Sequence, residues 1–346
     1  MDLEREARRR GDRLRILVTR LRYLGDVIMS TPVLRALKKR YPHSELFYLT
    51  ECPYAEILEG HEDLDGIIPL GREPMEQLRA IATLRKLKCT AAVDLLYNPR
   101  SAWLLFLSGI PIRVGGARRW RKRLYTETVA VPKELKSAIA HHLYSLHVLD
   151  AQQNDGLPKV YLTARERQAG ASLLQRTVGE REGGSPIIAL HPGGTWPSKR
   201  WMPESFAALA EILSREWGAK LLVIAGPGEE GIARTVVTQA RRAAWMLPVQ
   251  PIRSLAAVLA HCDALVANDG GVLHLAVALD RPTVGIFGPT EPDIWFPYEG
   301  KGPFALASRN ESCAPCHLHY CDDMRCLKQL DPSLVLSKVK EVMRWG

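Results

Sequence analysis

The sequence predicts an α/β protein built from two parallel-sheet domains in tandem, each with helices on both faces of its sheet. Three observations lead there. At 346 residues the chain is too long for one small domain. Short apolar runs of strand length alternate with stretches of helical periodicity, the pattern of crossover-connected parallel strands. The alternation stops once, in the polar stretch from Leu157 to Ser185, and then restarts.

Arg15 to Arg20, around Ile16-Leu17-Val18, reads as a buried strand. Leu21 to Gly25 turns, and from Asp26 the residues Val33, Leu34 and Leu37 recur at helical spacing as far as Tyr41. Strands are expected at Glu45 to Thr50, Ile67 to Leu70 and Ala91 to Leu96, a helix at Met75 to Leu87, and a further strand from Val129. In the polar stretch, a helix over Ala164 to Val178 is stopped by Gly179 and the turn Gly183-Gly184-Ser185-Pro186. The second series follows: strand Ile187 to His191, helix Pro203 to Glu216, strand Lys220 to Ala225, helices Glu229 to Ala243 and Ser254 to His261. Strand Ala264 to Ala267, helix Gly271 to Ala278, strand Thr283 to Phe287 and a helix near Leu334 to Arg344 complete it. The expected divisions are 1–160, a linker region 161–185, 186–330, and a C-terminal helix within 331–346. Open parallel sheets bind ligands beyond the carboxyl ends of their strands, so a cleft between the two domains is the expected site.

Composition removes other classes. Hydrophobic residues at 46% and charged ones at 25%, with 26 Gly, 23 Pro and seven Cys, exclude disordered, collagenous and disulfide-scaffold chains. No apolar run approaches the roughly 20 residues that cross a bilayer, and Met1 to Arg15 alternates acids with arginines and has no apolar signal region. A cytoplasmic protein with reduced thiols is expected. The formal net charge of +9 is uneven: residues 1–150 hold 26 Lys and Arg against 18 Asp and Glu, residues 151–346 hold 21 against 20. The first half therefore faces an anion: nucleic acid, membrane surface or phosphorylated substrate. Arg5 to Arg13, interleaved with acids, is the solvated face of a segment; the uninterrupted Arg113, Arg118, Arg119, Arg121, Lys122 and Arg123, with Trp120 among them, is the better anion site.

Four loops after strands collect chemistry-bearing residues. In Leu24-Gly25-Asp26 the Asp is either a helix N-cap, the commoner use, or a charged group at a polar mouth with Arg20 and Arg22. His191-Pro-Gly-Gly-Thr195-Trp-Pro-Ser-Lys199-Arg200 offers flexible backbone, a hydroxyl and two cations, a natural phosphate loop. Gly226-Pro-Gly228-Glu229-Glu-Gly231 matches a dinucleotide fingerprint in spelling, but no acid follows at ribose distance, since the next after Glu230 is Asp263. NAD is thus a minor reading. Asn268-Asp269-Gly270-Gly271-Val-Leu-His274 opens a helix on a glycine pair, whose free N–H groups suit a pyrophosphate. Asp63-Leu-Asp65 has metal-nucleotide spacing in a turn suited to solvent exposure, and no Walker-type phosphate loop occurs.

The segment Ile16 to Lys39 with its Leu24-Gly25-Asp26, followed in order by His191-Pro-Gly-Gly, Asn268-Asp-Gly-Gly-Val-Leu-His-Leu-Ala and Gly288-Pro-Thr290, resembles the ADP-heptose:lipopolysaccharide heptosyltransferases of glycosyltransferase family 9. The resemblance spans nearly the whole chain. It implies a GT-B fold, two Rossmann-like αβα domains facing across a cleft, with the acceptor bound by the first and the nucleotide sugar by the second. It implies inverting, metal-independent transfer of heptose from an ADP-sugar donor to the inner core of lipopolysaccharide, a lipid A-linked acceptor, with no cofactor required. Asp26 matches the family's proposed base, Thr195 and Lys199 its phosphate loop, Asp269, Gly270, Gly271 and His274 its pyrophosphate and sugar site, and Glu229 an acid near the ribose. The run Arg113 to Arg123 is then the candidate for acceptor carboxylates and phosphates, and peripheral contact with an anionic inner membrane is expected to be electrostatic and weakened by salt.

Cys313, Cys316, Cys321 and Cys326 fall within fourteen residues, with His317 and His319 between them. Such density suggests structural Zn or an iron–sulfur cluster, against the alternative of reduced thiols in an ordered loop. A transferase or epimerase for another nucleotide sugar is the competing enzyme reading. A basic module for nucleic acid ranks last, because only Trp120 interleaves with the cations.

Overall fold

The computed structural model describes residues 3–151, 156–181, 183–241 and 243–344; the side chain of Arg119 also lies outside that description. The chain forms two compact units, Met1–Tyr161 and Leu162–Gly346. In the first, β1 (Arg15–Thr19), β2 (Glu45–Glu51), β3 (Gly66–Leu70), β4 (Ala91–Asp94), β5 (Ile112–Gly116) and β6 (Glu127–Val129) form one sheet in the order β3-β2-β1-β4-β5-β6. In the second, β7 (Ile187–His191), β8 (Lys220–Val223), β9 (Ala244–Met246), β10 (Ala264–Asn268), β11 (Thr283–Phe287) and β12 (Phe304–Ser308) take the order β12-β11-β10-β7-β8-β9. Every pairing is parallel. The two sheets share one connectivity, and each reverses its winding direction once: between β1 and β4, and between β7 and β10. Those switch points are where the loops after neighbouring strands diverge and leave room for a ligand.

The cores explain the apolar runs. Leu17, Leu49 and Ala92 meet Ile81, Leu84 and Leu105 of the covering helices Pro74–Leu87 and Pro99–Ser108 in the first unit. In the second, Ile188, Val223 and Val266 meet Phe206 and Leu213 of helix Pro203–Trp217 and Val335 and Val339 of helix Pro332–Met343. Among the described residues no helix is long and apolar enough to cross a membrane.

Several expectations change in detail. The helix expected from Asp26 to Tyr41 is two, Leu24–Met29 and Pro32–Arg40. Ser30 and Thr31 turn their hydroxyls back to the carbonyls of Val27 and Ile28, and Pro32 has no N–H to continue the ladder. Val129 ends β6 rather than beginning a strand. The helix expected to reach Ala243 ends at Gln239, ahead of a left-handed Arg241 (φ 43°), and β9 takes up Ala244 onward. Asp63 is not exposed: it is buried beside Arg35, 3.1 Å from its Nε, and burial raises its pKa. Glu4 and Glu6 pair with Arg8, Arg9 and Arg10 along helix Leu3–Arg10, a solvated face as expected.

Candidate functional site

At the first switch point the loop after β1 carries Arg20 and leads into helix Leu24–Met29. Asp26 lies in that helix's first turn and does not cap it. It is buried, and its Oδ1 accepts from an Arg20 Nη, while the other Arg20 Nη donates to Leu95 O after β4 (3.0 Å). Arg20 thus ties the two diverging loops together and holds the carboxylate by one oxygen. Asp94, at the end of β4, is fully buried; it accepts from Tyr125 Oη (2.6 Å) and the N–H groups of Leu96 and Tyr97. Burial raises its pKa against those hydrogen bonds.

Sequence reasoning missed Glu51. At the end of β2 it is 1% exposed, and its carboxylate receives Arg100 Nη1 at 2.6 Å and Arg72 Nη2 at 3.0 Å, with Arg22 Nε at 4.0 Å. One buried anion among three guanidinium groups leaves a local excess of positive charge. The three arginines are far apart in sequence, so no spacing signals the cluster. Of the basic run, Arg113 is committed internally: it donates to Leu124 O and Ile110 O, and burial lowers its pKa. Arg118, Lys122 and Arg123 are exposed and Arg121 half-buried, on or beside the short helical turn Arg119–Leu124.

At the second switch point the loops after β7 and β10 are laced together. Asn268, closing β10, donates through Nδ2 to Pro192 O (2.9 Å) and Gly193 O (3.0 Å) and accepts from Trp201 N (3.1 Å). Lys199 Nζ lies 2.6 Å from Asp269 Oδ2, which also accepts from Thr290 Oγ1 (2.7 Å), and 4.3 Å from the centre of the Trp196 ring. Gly270 is the N-cap of helix Gly271–Ala278, with no side chain capping its first N–H groups. Thr195 is exposed at the tip of its loop.

His274 is buried within that helix, its Nδ1 2.8 Å from Tyr298 Oη. Burial pulls its pKa down to about 4, Asp269 opposing and Lys199 assisting, so it is a neutral hydrogen-bonding group. Glu229 joins a third loop: Oε1 accepts from Gly194 N (2.8 Å), Oε2 from Gly226 N (2.9 Å), and His191 Nε2 lies 3.3 Å away. Burial raises its pKa, but His191 and the two N–H groups prevail and hold it at about 2. Gly193 is required here by close approach, since a Cβ would stand 2.0 Å from Glu229 Oε2.

The cysteine segment belongs to the same neighbourhood. Trp196 stacks on His319 at 3.9 Å, Ser198 donates to Leu318 O and His319 O, and the N–H groups of Cys316 and His317 donate to Pro289 O. Cys313, Cys316, Cys321 and Cys326 line one small cavity with Ser198 and Pro289. Burial, then the other three cysteines, raise the Cys326 pKa. The all-sulfur donor set suits Zn or iron, although among the described residues no three ligating side chains stand gathered for a metal ion.

The family model for glycosyltransferase family 9 (heptosyltransferase) matches residues 78–325. The lipopolysaccharide heptosyltransferase 2 of Salmonella typhimurium is 26% identical over 302 residues, covering 83% of this chain and 86% of that protein. Among solved structures, a family 9 glycosyl transferase from Veillonella parvula superposes with a TM-score of 0.84 at 21% identity, covering 96% of this chain and 98% of its own. The E. coli ADP-heptose lps heptosyltransferase II superposes with a TM-score of 0.80 at 21% identity, covering 96% and 99%.

Proposed function

The chain belongs to glycosyltransferase family 9, and from that premise we infer that it transfers heptose from ADP-heptose to the inner core of lipopolysaccharide. The observation that carries the reading beyond family membership is the second switch point, where Lys199, held by Asp269, stands in the loop facing the uncapped helix start at Gly270 and Gly271. A lysine and a helix N-terminus supply the positive charge that a departing diphosphate needs, without a metal ion.

In this reading Thr195, Lys199, Gly270 and Gly271 hold the diphosphate. His274, neutral, accepts or donates one hydrogen bond toward the sugar. Glu229, whose two oxygens already fix the loops after β7 and β8, receives the ribose on its remaining lone pairs. Asp269 is the positioning residue for Lys199. Asp26, fixed by Arg20 through Oδ1, takes the proton of the attacking acceptor hydroxyl on Oδ2, and the single displacement inverts the anomeric carbon. Arg118, Arg119, Arg121, Lys122 and Arg123 meet the acceptor's carboxylates and phosphates; Arg113, bound to carbonyls, positions their turn, and the excess charge around Glu51 adds to the same field. The lipid-held acceptor sets the reaction at the cytoplasmic face of the inner membrane, with peripheral attachment. The four cysteines would be the residues to hold a structural Zn or iron–sulfur centre, which would stiffen the segment beside Ser198 and Pro289.

The test is transfer itself. Purified protein is given ADP-heptose and a lipid A-linked inner-core acceptor lacking heptose, and the product is weighed by mass spectrometry and its anomeric configuration read by NMR. One added heptose with inversion is expected. Transfer only from another nucleotide sugar, or isomerised sugar released without acceptor, overturns the reading.

A further inference from the structure

The described residues include ten large apolar side chains that face solvent, and six of them crowd one edge of the first unit. Met75 and Leu78 (each 58% exposed) project from helix Pro74–Leu87, Trp103, Phe106 and Leu107 (41–44%) from helix Pro99–Ser108, and Trp120 (50%) from the turn Arg119–Leu124. Five of them form one surface: Trp103 lies 5.8 Å from Phe106 and 6.3 Å from Trp120, ring centre to ring centre, and Leu78, Trp103 and Leu107 line a groove of ≈ 580 Å³, which Pro74, the residue before Met75, also lines. A monomer does not ordinarily leave such a patch to water.

The charge around its Trp103 and Trp120 side is positive. From Leu95 to Thr126 the sequence contains no acid and seven cations. Arg100 and Arg113 are engaged by Glu51 and by backbone carbonyls, which leaves, besides Arg119, whose side chain lies outside the description, Arg118, Arg121, Lys122 and Arg123 near Trp120 in the chain. The two exposed acids beside Met75, Glu73 and Glu76, form the capping box of their own helix and stand at the end of the patch away from Trp120 in sequence. A protein partner matched to this surface would find few charges to pair with both its signs, whereas an anionic bilayer offers apolar depth beneath a uniformly negative layer. Trp at the headgroup level, aliphatic side chains below it and Arg or Lys at the rim are the arrangement of a surface-bound membrane protein.

We propose that this edge, formed by helices Pro74–Leu87 and Pro99–Ser108 with Trp120, docks the protein onto anionic lipid by shallow insertion of Trp103, Phe106, Leu107 and Leu78. The proposal deepens the reading of a lipid-held acceptor, and its test is independent of that reading. Full-length protein is sedimented with vesicles of phosphatidylcholine alone or mixed with phosphatidylglycerol, free of any glycolipid or sugar nucleotide, while tryptophan emission is recorded. Binding to the anionic vesicles with a blue shift is expected, partly resistant to salt because the apolar contact is not screened. Trp103→Ala with Leu107→Ser is expected to weaken it at least about tenfold while sparing transfer to a delipidated acceptor. Leu78→Gln, on the other helix, reads the same surface should that pair disturb its own helix. No binding to anionic vesicles, unchanged binding by both variants, or a lipid-independent dimer that the variants dissociate, overturns the proposal. A protein that binds vesicles yet transfers no heptose retains the docking surface and loses the transfer reading alone.

Discussion

Asp26 is buried in the first turn of a short helix, and its Oδ1 accepts a hydrogen bond from Arg20. The pair fixes the orientation of Oδ2, which is what a base requires, and nothing in the helix needs it as a cap. Asp26→Asn keeps the shape and one acceptor oxygen but cannot take a proton. Turnover is expected to fall about 100-fold or more with donor affinity nearly unchanged, the scale of a lost general base; steady-state kinetics beside ADP calorimetry reads both, and near-normal turnover removes Asp26 from the chemistry. Asp26, Lys199, Asp269 and His274 stand out in the sequence as candidates because they lie in short glycine-containing motifs after strands. Glu51 was not, because a single Glu at the end of an apolar strand looks like any edge residue until Arg72 and Arg100 fold onto it.

At the level of elements, legibility followed burial. Ile187–His191, Gly271–Ala278 and Thr283–Phe287 were readable to the residue, being apolar segments flanked by glycine, proline or charge. Strands β5, β6, β9 and β12 were missed or misplaced: β6 and β9 have only three residues each and lie at the sheet margins, β5 and β6 carry Arg113 and Glu127, and β12 follows a turn-rich stretch. The cysteine segment was readable as a cluster, but its service to the Lys199 loop was not, since Ser198 meets Leu318 and His319 more than a hundred residues away. That contact makes a prediction. Cys313→Ser with Cys316→Ser should loosen the segment and with it the two hydrogen bonds of Ser198, about 1 kcal/mol each, so ADP binding weakens about tenfold or more. Calorimetry reads the loss; equal affinity would separate the cysteines from the Lys199 loop.

The whole molecule carries a signature in its acid response. Burial, reinforced by Arg35 and Arg20 respectively, holds His61 at about 4 and His142 at about 3, and burial holds His274 at about 4. Unfolded, each takes a proton near 6.5, so between these values the unfolded chain binds more protons and stability rises with pH. The contribution is intact above pH 7 and drains as pH falls from about 6.5 toward 4, at about 1.4 kcal/mol per pH unit for each histidine. Glu229, lowered to about 2, adds a further loss below about 4.5. The melting temperature is expected to drop steeply between pH 7 and pH 5; a flat profile would mean these rings are protonated in the native protein.

The shared connectivity of the two sheets, written without a detectable sequence repeat, also bears on how such proteins diversify. Each scaffold spends its apolar residues on strands and covering helices and its chemistry on the loops at one end. On the proposed assignment, changes to the loops after β1, β2 and β5 would alter acceptor choice and leave the loops after β7, β8 and β10 in place, and the reverse holds equally. Two scaffolds of one connectivity thus allow a library randomised in the loops of one unit to leave the other unit's loops unchanged.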